Sequence, residues 1–301
     1  MLTKQKVKVF YVFERYPLEM VILGLLGLLY FPLIWHWVDG WLNKSISIQH
    51  EYFSHGLIGL PFAAYIGWNY RQKWRRLPET CHPLGIILLI SAAVFYLSGL
   101  SDWMNLSLPL ILGGLCLSLK GHAGLRLQAF PLALVFLATP TQAPYLIEPY
   151  ILPLQQFIAT IAGFTLLQMG VDVQVDQIYL LVNGQLVEVA PHCAGLKMLF
   201  TSFYVGLMLL YWTGAWKSRL RTGLFLSSTV LVSVAGNIVR NTLLSFFHGA
   251  GQTGAFHWLH ESWGGDLYSA AMLLLLIGLL RLIERYVPEK LNLEVSSESI
   301  V

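Results

Sequence analysis

The chain has 301 residues, of which 56% are hydrophobic and only 12% are charged, whereas about 25% of the residues in a soluble domain are charged. This composition excludes a soluble globular protein and predicts an all-α polytopic membrane protein, with a single integral membrane domain over residues 1–301. The three cysteines, Cys81, Cys116 and Cys193, form no CxxC or Cys/His pattern. The sequence therefore predicts no metal site and no other cofactor.

Eight apolar runs have about the length of a transmembrane helix, roughly 17–25 residues with interfacial ends. A basic N-terminus precedes the first run, which lacks a small-residue cleavage site, so we expect an uncleaved helix rather than a signal peptide. The predicted helices are 18–37, 54–70, 83–100, 105–119, 126–140, 196–214, 222–246 and 266–286.

The basic residues predict how these helices are oriented, because Lys and Arg concentrate in cytoplasmic loops. With the N-terminus inside, every Lys and Arg falls on the cytoplasmic side except Lys44, Lys197 and Arg240. A ninth apolar segment, 146–168, is ambiguous. Counting it as a span would move the basic residues of 217–221 outside, so we predict that it is interfacial or re-entrant.

A β-hairpin is predicted over residues 176–190. Two alternating runs, 178–182 and 185–189, flank Asn183-Gly184, a dipeptide that suits the positive φ angles of a type I′ turn. Because open sheet edges are not tolerated in lipid, the hairpin should lie outside the membrane. It would deliver Cys193 to the entrance of the sixth helix.

Cys193 is the candidate nucleophile. It lies in Ala190-Pro191-His192-Cys193-Ala194-Gly195-Leu196-Lys197, just before a long apolar run. A thiol at such a polar boundary, beside His192 and Lys197, can become a reactive thiolate. The alternative is an inert, buried cysteine. His192 is a rival base, although adjacent side chains diverge on a helix or strand and meet only in a turn.

Two further groups of polar residues accompany this thiol. Asn237 and Arg240 share a face of an otherwise apolar helix, where an arginine costs roughly 2.5–3.5 kcal/mol on insertion scales and is by default a functional hypothesis. Snorkelling of Arg240 to the outer interface is the alternative. His257, His260 and Glu261 lie at the outer end of the last helix, where the histidines could instead belong to an interfacial aromatic belt.

The combination has a joint chemical logic. Under the eight-helix topology, Cys193, Arg240 and His260 all lie near the outer interface. A thiolate can attack a peptide carbonyl to form a thioester, an imidazole can move the proton of the leaving amine, and an arginine can stabilise the oxyanion. We therefore expect a Cys–Arg–His site at the outer face.

Another polar cluster, which contains Tyr52, Ser54 and His55, also falls on the outer side. It is either an interfacial cap with Ser54 near the helix start or an element that contacts substrate or supports the site. Both interpretations stay open at this point.

These residues together resemble the exosortase/archaeosortase family. Tyr52-Phe53-Ser54-His55-Gly56 is similar to its early Tyr-Ser-His-Gly motif, and Ala190 to Lys197 is similar to its nucleophile motif. Asn237 with Arg240 matches its Asn-x-x-Arg, and His260 with Gly264 matches its His-x3-Gly. The resemblance covers about residues 20 to 286.

The resemblance implies a sortase-like cysteine peptidase and transpeptidase in the plasma (inner) membrane, with its site on the extracytoplasmic side. Cys193 would be the nucleophile, Arg240 the arginine and His260 the histidine. The implied partners are the lipid bilayer, exported proteins with a C-terminal sorting signal (a Pro-Glu-Pro-type motif, a transmembrane helix and a basic tail) and a lipid- or glycan-linked acceptor, with no nucleic acid. Ala194 and Lys197 replace the family's serine and arginine, and Lys197 lacks bidentate geometry. This indicates a divergent branch similar to the cyanobacterial-type exosortases.

Two other functions remain open. A membrane transferase acting on lipid-linked saccharides would need outer carboxylates or basic groups to hold phosphates. The carboxylates that could serve, Asp102, Asp172, Asp176 and Glu188, show no metal-like spacing. A non-enzymatic transporter or scaffold would place its polar residues near the midplane, whereas the polar residues noted above gather at one face.

Overall fold

The computed structural model describes residues 17–43, 52–189, 196–260 and 262–287, which form a mostly helical protein with one small antiparallel sheet. The helices are α1 Pro17–Leu42, α2 Gly56–Asn69, α3 Arg71–Arg76, α4 Pro83–Leu97, α5 Ser101–Ala138, α6 Ala143–Ile147, α7 Leu152–Gln168, α8 Leu196–Thr213, α9 Arg219–Gly249, α10 Thr253–His260 and α11 Trp263–Tyr286. The strands are β1 Val173–Asp176, β2 Tyr179–Val182 and β3 Gln185–Glu188, and short 3-10 helices occupy Glu148–Tyr150 and Ala215–Lys217.

Within these residues, five helices are long and apolar enough to cross a membrane. They are Val21–Leu42 of α1, Ser101–Ala138, Leu196–Thr213, Arg219–Gly249 and Trp263–Tyr286. The predicted helices 54–70 and 83–100 correspond to α2 and α4, which have only 14 and 15 residues. A multi-pass, mostly helical protein is therefore confirmed, and the number of eight crossings stays a prediction.

Helix α5 folds back on itself at Gly121. This glycine has φ 57° and ψ −153°, a backbone conformation that is essentially restricted to glycine. The Asn105 side-chain Nδ2 donates to the carbonyl oxygen of Pro140 (2.8 Å), although a straight helix would separate these residues by about 50 Å. The two halves of α5 are therefore antiparallel, and they occupy the predicted helices 105–119 and 126–140.

Contacts gather one set of helix ends into a buried group that we call the aromatic cluster. It joins the end of α1, the residues before α2, the first half of α5 and the beginnings of α7 and α8; its members are Tyr30, Leu33, Trp37, Trp41, Tyr52, Phe53, Leu108, Ile151 and Leu196. The distribution of basic residues assigns these helix ends to the outer side of the membrane. Tyr30 and Leu33 of α1 lie further from the outer end of their helix than the other members do.

The opposite helix ends are joined by polar contacts. The buried Lys120 donates to the carbonyl oxygen of Leu77 (3.1 Å), Tyr70 and Tyr211 share a hydroxyl–hydroxyl bond, and Arg221 Nε donates to the carbonyl oxygen of Val287 (2.8 Å). These residues lie at the ends predicted to be cytoplasmic. The bundle thus keeps the two predicted sets of helix ends apart.

The sheet has the strand order β1-β2-β3. Asn183 and Gly184 have φ angles of 48° and 80°, as the predicted type I′ turn requires, and Val182 pairs with Gln185 across it. The described part of the predicted hairpin is therefore confirmed, and β1 adds a third strand that we did not predict. Leu180 and Val182 are fully buried in a cluster shared with α7.

The ambiguous segment 146–168 becomes the end of α6, a 3-10 turn and α7. Its position relative to the bilayer stays a prediction. Gln155, a polar residue within this apolar segment, is buried and donates through Nε2 to the carbonyl oxygen of Val189 (2.9 Å). Helix α7 therefore supports the end of the hairpin.

Candidate active site

The segment that carries the candidate nucleophile, residues 190–195 with His192 and Cys193, lies outside the described residues, as does Glu261. Its two flanks are described. Val189 precedes it and is held on both sides, because its N–H donates to the carbonyl oxygen of Ile178 (2.9 Å) and its own carbonyl oxygen accepts from Gln155.

The chain after this segment is equally well fixed. Leu196 begins α8 and is buried in the aromatic cluster. Lys197 follows on the first turn of α8 and is partly buried. The structure therefore fixes both ends of the nucleophile segment through contacts with residues that are distant in sequence.

Arg240 lies on α9, and its guanidinium faces the beginning of α11. A methyl group built on Cα of Gly265 would lie 3.9 Å from Arg240 Nη2 and 4.0 Å from the carbonyl oxygen of His260. One turn before Arg240, the carbonyl oxygen of Gly236 accepts a hydrogen bond from the Tyr268 hydroxyl of α11. Arg240 Nε is buried and has no hydrogen-bond partner among the described residues. Helix packing thus holds this guanidinium close to the backbone of His260.

His260 ends α10, a short helix that the sequence analysis did not predict. Its ring stacks on that of Phe256, with centroids 5.2 Å apart and an interplanar angle of 10°. The same phenylalanine also contacts the rings of His248 and His257. Sequence reasoning missed Phe256 and His248, although the four-residue spacing of Phe256 and His260 on one helix was a usable signal.

Gly264 allows α11 to begin directly against α10. A Cβ at this position would lie 2.5 Å from the carbonyl oxygen of Trp258 and 2.6 Å from Cδ2 of its ring. Such distances are far below van der Waals contact, so no other residue fits without movement. The glycine of the His-x3-Gly motif therefore has a packing role at the junction of α10 and α11, where it contacts Trp258, two residues before His260.

Asn237 is the most buried of the described candidate residues, at 1% exposure. Its neighbour Gly236 faces α11, where an added Cβ would meet Met272, and Ile238 packs against the cluster formed by α7 and the sheet. Val239, on the opposite side of α9, is exposed. Asn237 therefore points into the protein, and in the described parts of the chain neither its Nδ2 nor its Oδ1 has a hydrogen-bond partner.

The early polar cluster packs as part of the bundle. Tyr52 and His55 are buried; His55 Nε2 donates to the carbonyl oxygen of Leu137 (3.1 Å), and its ring lies 4.4 Å from that of Tyr204. The N-cap of α2 is His55, without a side-chain capping bond. Ser54 therefore lies near the helix start, as expected, but His55 occupies the N-cap position itself.

The carboxylates considered for a transferase do not converge on a metal site. Asp102 lies in the first turn of α5, and Asp172 precedes β1. Asp176 of β1 and Glu188 of β3 both pair with Tyr179 of the central strand β2, one from each neighbouring strand. No group of three or more His, Cys, Asp or Glu side chains in the described ranges is arranged to hold a metal ion.

A comparison with models of known protein families gave a match over more than half of the chain. A family model described as transmembrane exosortase (Exosortase_EpsH) matches residues 41–277. The chain belongs to the transmembrane exosortase family. Comparisons with curated proteins and with solved structures gave no match. The family resemblance seen in the sequence is therefore confirmed.

Membership defines the general activity. Exosortases are membrane-embedded protein-sorting enzymes, generally cysteine transpeptidases, and they act on exported proteins at a lipid bilayer. The matched region contains Tyr52, Cys193, Asn237, Arg240 and His260. The exosortase match thus covers every candidate catalytic residue.

Proposed function

We propose that the protein cleaves a C-terminal sorting signal from exported proteins and transfers them to a lipid- or glycan-linked surface acceptor. The proposed signal is a Pro-Glu-Pro-type motif followed by a transmembrane helix and a basic tail. Cys193 is the proposed nucleophile, with Arg240 and His260 as its partners. The protein would lie in the plasma membrane with this site on the extracytoplasmic side.

The observation that carries the proposal is the meeting of Arg240 and His260 at Gly265. The two residues come from different helices, α9 and α10, and the contact with Gly265 of α11 brings the guanidinium and the backbone of His260 to the same place. An arginine and a histidine brought together in this way would provide a fixed positive group and a proton-transfer group for one reaction centre.

Chain geometry supports a position for Cys193 near this pair. Helices α8 and α9 are antiparallel neighbours, and a Cβ at Gly206 would lie 3.7 Å from Thr229 Oγ1. Leu196 lies ten residues before Gly206, and Arg240 lies eleven residues after Thr229, which is about 15 and 17 Å along the two helices. Because the helices are antiparallel, Leu196 and Arg240 are displaced from this contact in the same direction and by similar distances along the bundle axis. Cys193 is three residues from Leu196, so the chain limits their Cα separation to about 11 Å.

The proposed reaction has two acyl-transfer steps. The Cys193 thiolate attacks the scissile carbonyl carbon and a C–S bond forms, while Arg240 stabilises the negative charge on the carbonyl oxygen. The C–N bond then breaks, and the leaving amine takes a proton from the His260 imidazolium. In the second step an acceptor nucleophile gives its proton to His260 and attacks the thioester, which releases the Cys193 thiolate.

The test uses purified protein in lipid nanodiscs and a reporter that ends in a Pro-Glu-Pro segment, an apolar helix of about 20 residues and three arginines. We expect Cys193→Ala and Cys193→Ser to abolish the shift in reporter size on a blot. We also expect mass spectrometry to find a reporter fragment joined to Cys193 in the parent protein.

The matched control is Cys81→Ser, which changes an exposed, free thiol at the opposite helix ends and should leave processing unchanged. Normal reporter processing by Cys193→Ala, at equal protein levels, would show that Cys193 is not the nucleophile. Loss of processing in Cys81→Ser would show that the assay reports general damage to the fold.

A further inference from the structure

Two buried asparagines in this protein differ in whether their side-chain amides are hydrogen-bonded. Asn105, which is 6% exposed, accepts from Trp37 Nε1 (2.7 Å) and donates to the carbonyl oxygen of Pro140 (2.8 Å). Asn237 is 1% exposed, yet across the described residues neither of its amide atoms has a hydrogen-bond partner. Buried polar groups are nearly always paired, so an unpaired one calls for an explanation.

Several polar side chains of α9 near Asn237 are paired within the helix itself. Thr229 Oγ1 donates to the carbonyl oxygen of Phe225 (2.8 Å), and Thr242 Oγ1 donates to that of Ile238 (2.8 Å). Asn241 Nδ2 donates to the backbone carbonyl of Asn237 itself (2.9 Å). Ser233 Oγ, one turn before Asn237, and Arg240 Nε, one turn after it, are also buried without a partner among the described residues. The unpaired groups therefore lie along one stretch of α9 that ends at Arg240, and Asn237 is the only one of the three that offers a donor and an acceptor on two separate atoms.

We propose that the Asn237 carboxamide binds the backbone of the substrate peptide on the leaving-group side of the scissile bond. An amide that offers one donor and one acceptor together is complementary to the N–H and C=O of an extended peptide. Asn237 is one helical turn nearer the middle of α9 than Arg240, about 4.5 Å along the axis. It therefore lies where a peptide cleaved beside Arg240 would continue toward the bilayer.

The chemistry of the substrate requires such a group. The residues that join the sorting motif to its transmembrane helix enter the apolar region with unpaired backbone groups. The reason is that the first N–H groups of any helix have no intrahelical hydrogen-bond partner. Lipid offers no replacement for water. A buried carboxamide that the fold leaves unused would supply both missing bonds at this point.

The inference rests on the proposed function, and its test separates the two. The probe is a fluorescent peptide with a Pro-Glu-Pro segment, an apolar helix and three arginines, and its binding to Cys193→Ser protein in nanodiscs is measured, so that no turnover is needed. Adding Asn237→Leu should weaken binding by about 10- to 100-fold, as expected for the loss of two hydrogen bonds. Adding Thr242→Val, which removes a buried hydroxyl satisfied within its own helix, should not change it.

Thermal unfolding tests whether Asn237 instead has a structural role, and Asn105→Leu serves as the comparison. Asn105→Leu should lower the unfolding midpoint, because it leaves the Trp37 N–H and the Pro140 carbonyl unpaired. Asn237→Leu should not lower it, since no described group loses a partner. A midpoint lowered as much as in Asn105→Leu would overturn the inference by making Asn237 a structural residue.

A second probe makes the test independent of whether Asn237→Leu folds. N-methylation of the backbone at the junction between motif and helix removes the N–H that Asn237 would accept. This probe should bind the Cys193→Ser protein about tenfold more weakly, with no additional loss when Asn237→Leu is present. Equal binding of the methylated and unmethylated probes overturns the inference alone, and absence of binding by either probe overturns the proposed function with it.

Discussion

The junction of α10 and α11 makes the sharpest prediction, because one added methyl group should misplace His260. In Gly264→Ala the new Cβ would meet the carbonyl oxygen of Trp258 at 2.5 Å, whereas ordinary contact begins near 3.4 Å. The two helices must therefore separate by about 0.9 Å, at a cost of about 1–3 kcal/mol in the free energy of unfolding. A displacement of about 1 Å in a catalytic group can reduce the rate about 100-fold.

The assay is the initial rate of reporter cleavage in nanodiscs, normalised to the folded fraction from thermal unfolding. Gly278→Ala is the matched control, because Gly278 lies on the same helix and has nothing within 4 Å of an added Cβ. It should retain the parental rate and gain up to about 1 kcal/mol from helix propensity. A parental rate in Gly264→Ala, or an equal loss in Gly278→Ala, would refute the link between this junction and His260.

Two other predictions test the arginine and the fold-back of α5. Arg240→Lys should reduce the rate of thioester formation by about 100-fold or more, because a point charge does not reproduce the planar guanidinium; a parental rate in a single-turnover assay would reduce Arg240 to an interfacial anchor. Gly121→Ala should lower the free energy of unfolding by about 1–3 kcal/mol, since φ 57° and ψ −153° strain any other residue, and its Cβ would lie 2.7 Å from Thr80 Oγ1. Gly113→Ala, on the same helix with nothing within 4 Å, should be stable, and equal unfolding midpoints for the two variants would contradict this account.

The sequence predicted those features that follow from solvent and backbone chemistry. Apolar runs marked where helices occur, because lipid leaves the backbone few alternatives, and Asn183-Gly184 marked the hairpin because its positive φ angles suit few other residues. The family motifs were found because each is a short string of residues.

The features that depend on contact between distant residues were not predictable in the same way. Nothing local in Ser54 and His55 shows which of them begins α2, and the clash that requires glycine at Gly264 is with Trp258 on another helix. Strand β1 was missed because Val173–Asp176 is short and becomes a strand only by pairing with β2. The contrast between Asn105 and Asn237 likewise appears only once their surroundings are known.

These long-range contacts explain how the proposed site can be held precisely. Val189 is fixed by Gln155 of α7 before the nucleophile segment, and Leu196 is fixed by the aromatic cluster after it. Arg240 and His260 are fixed by the close approach of α11 at Gly264 and Gly265. Groups carried on packed helices keep their geometry better than groups on free loops. The proposed reaction therefore depends on the junctions between helices as much as on the three reactive side chains, and substitutions at these junctions should reduce catalysis more than they reduce stability.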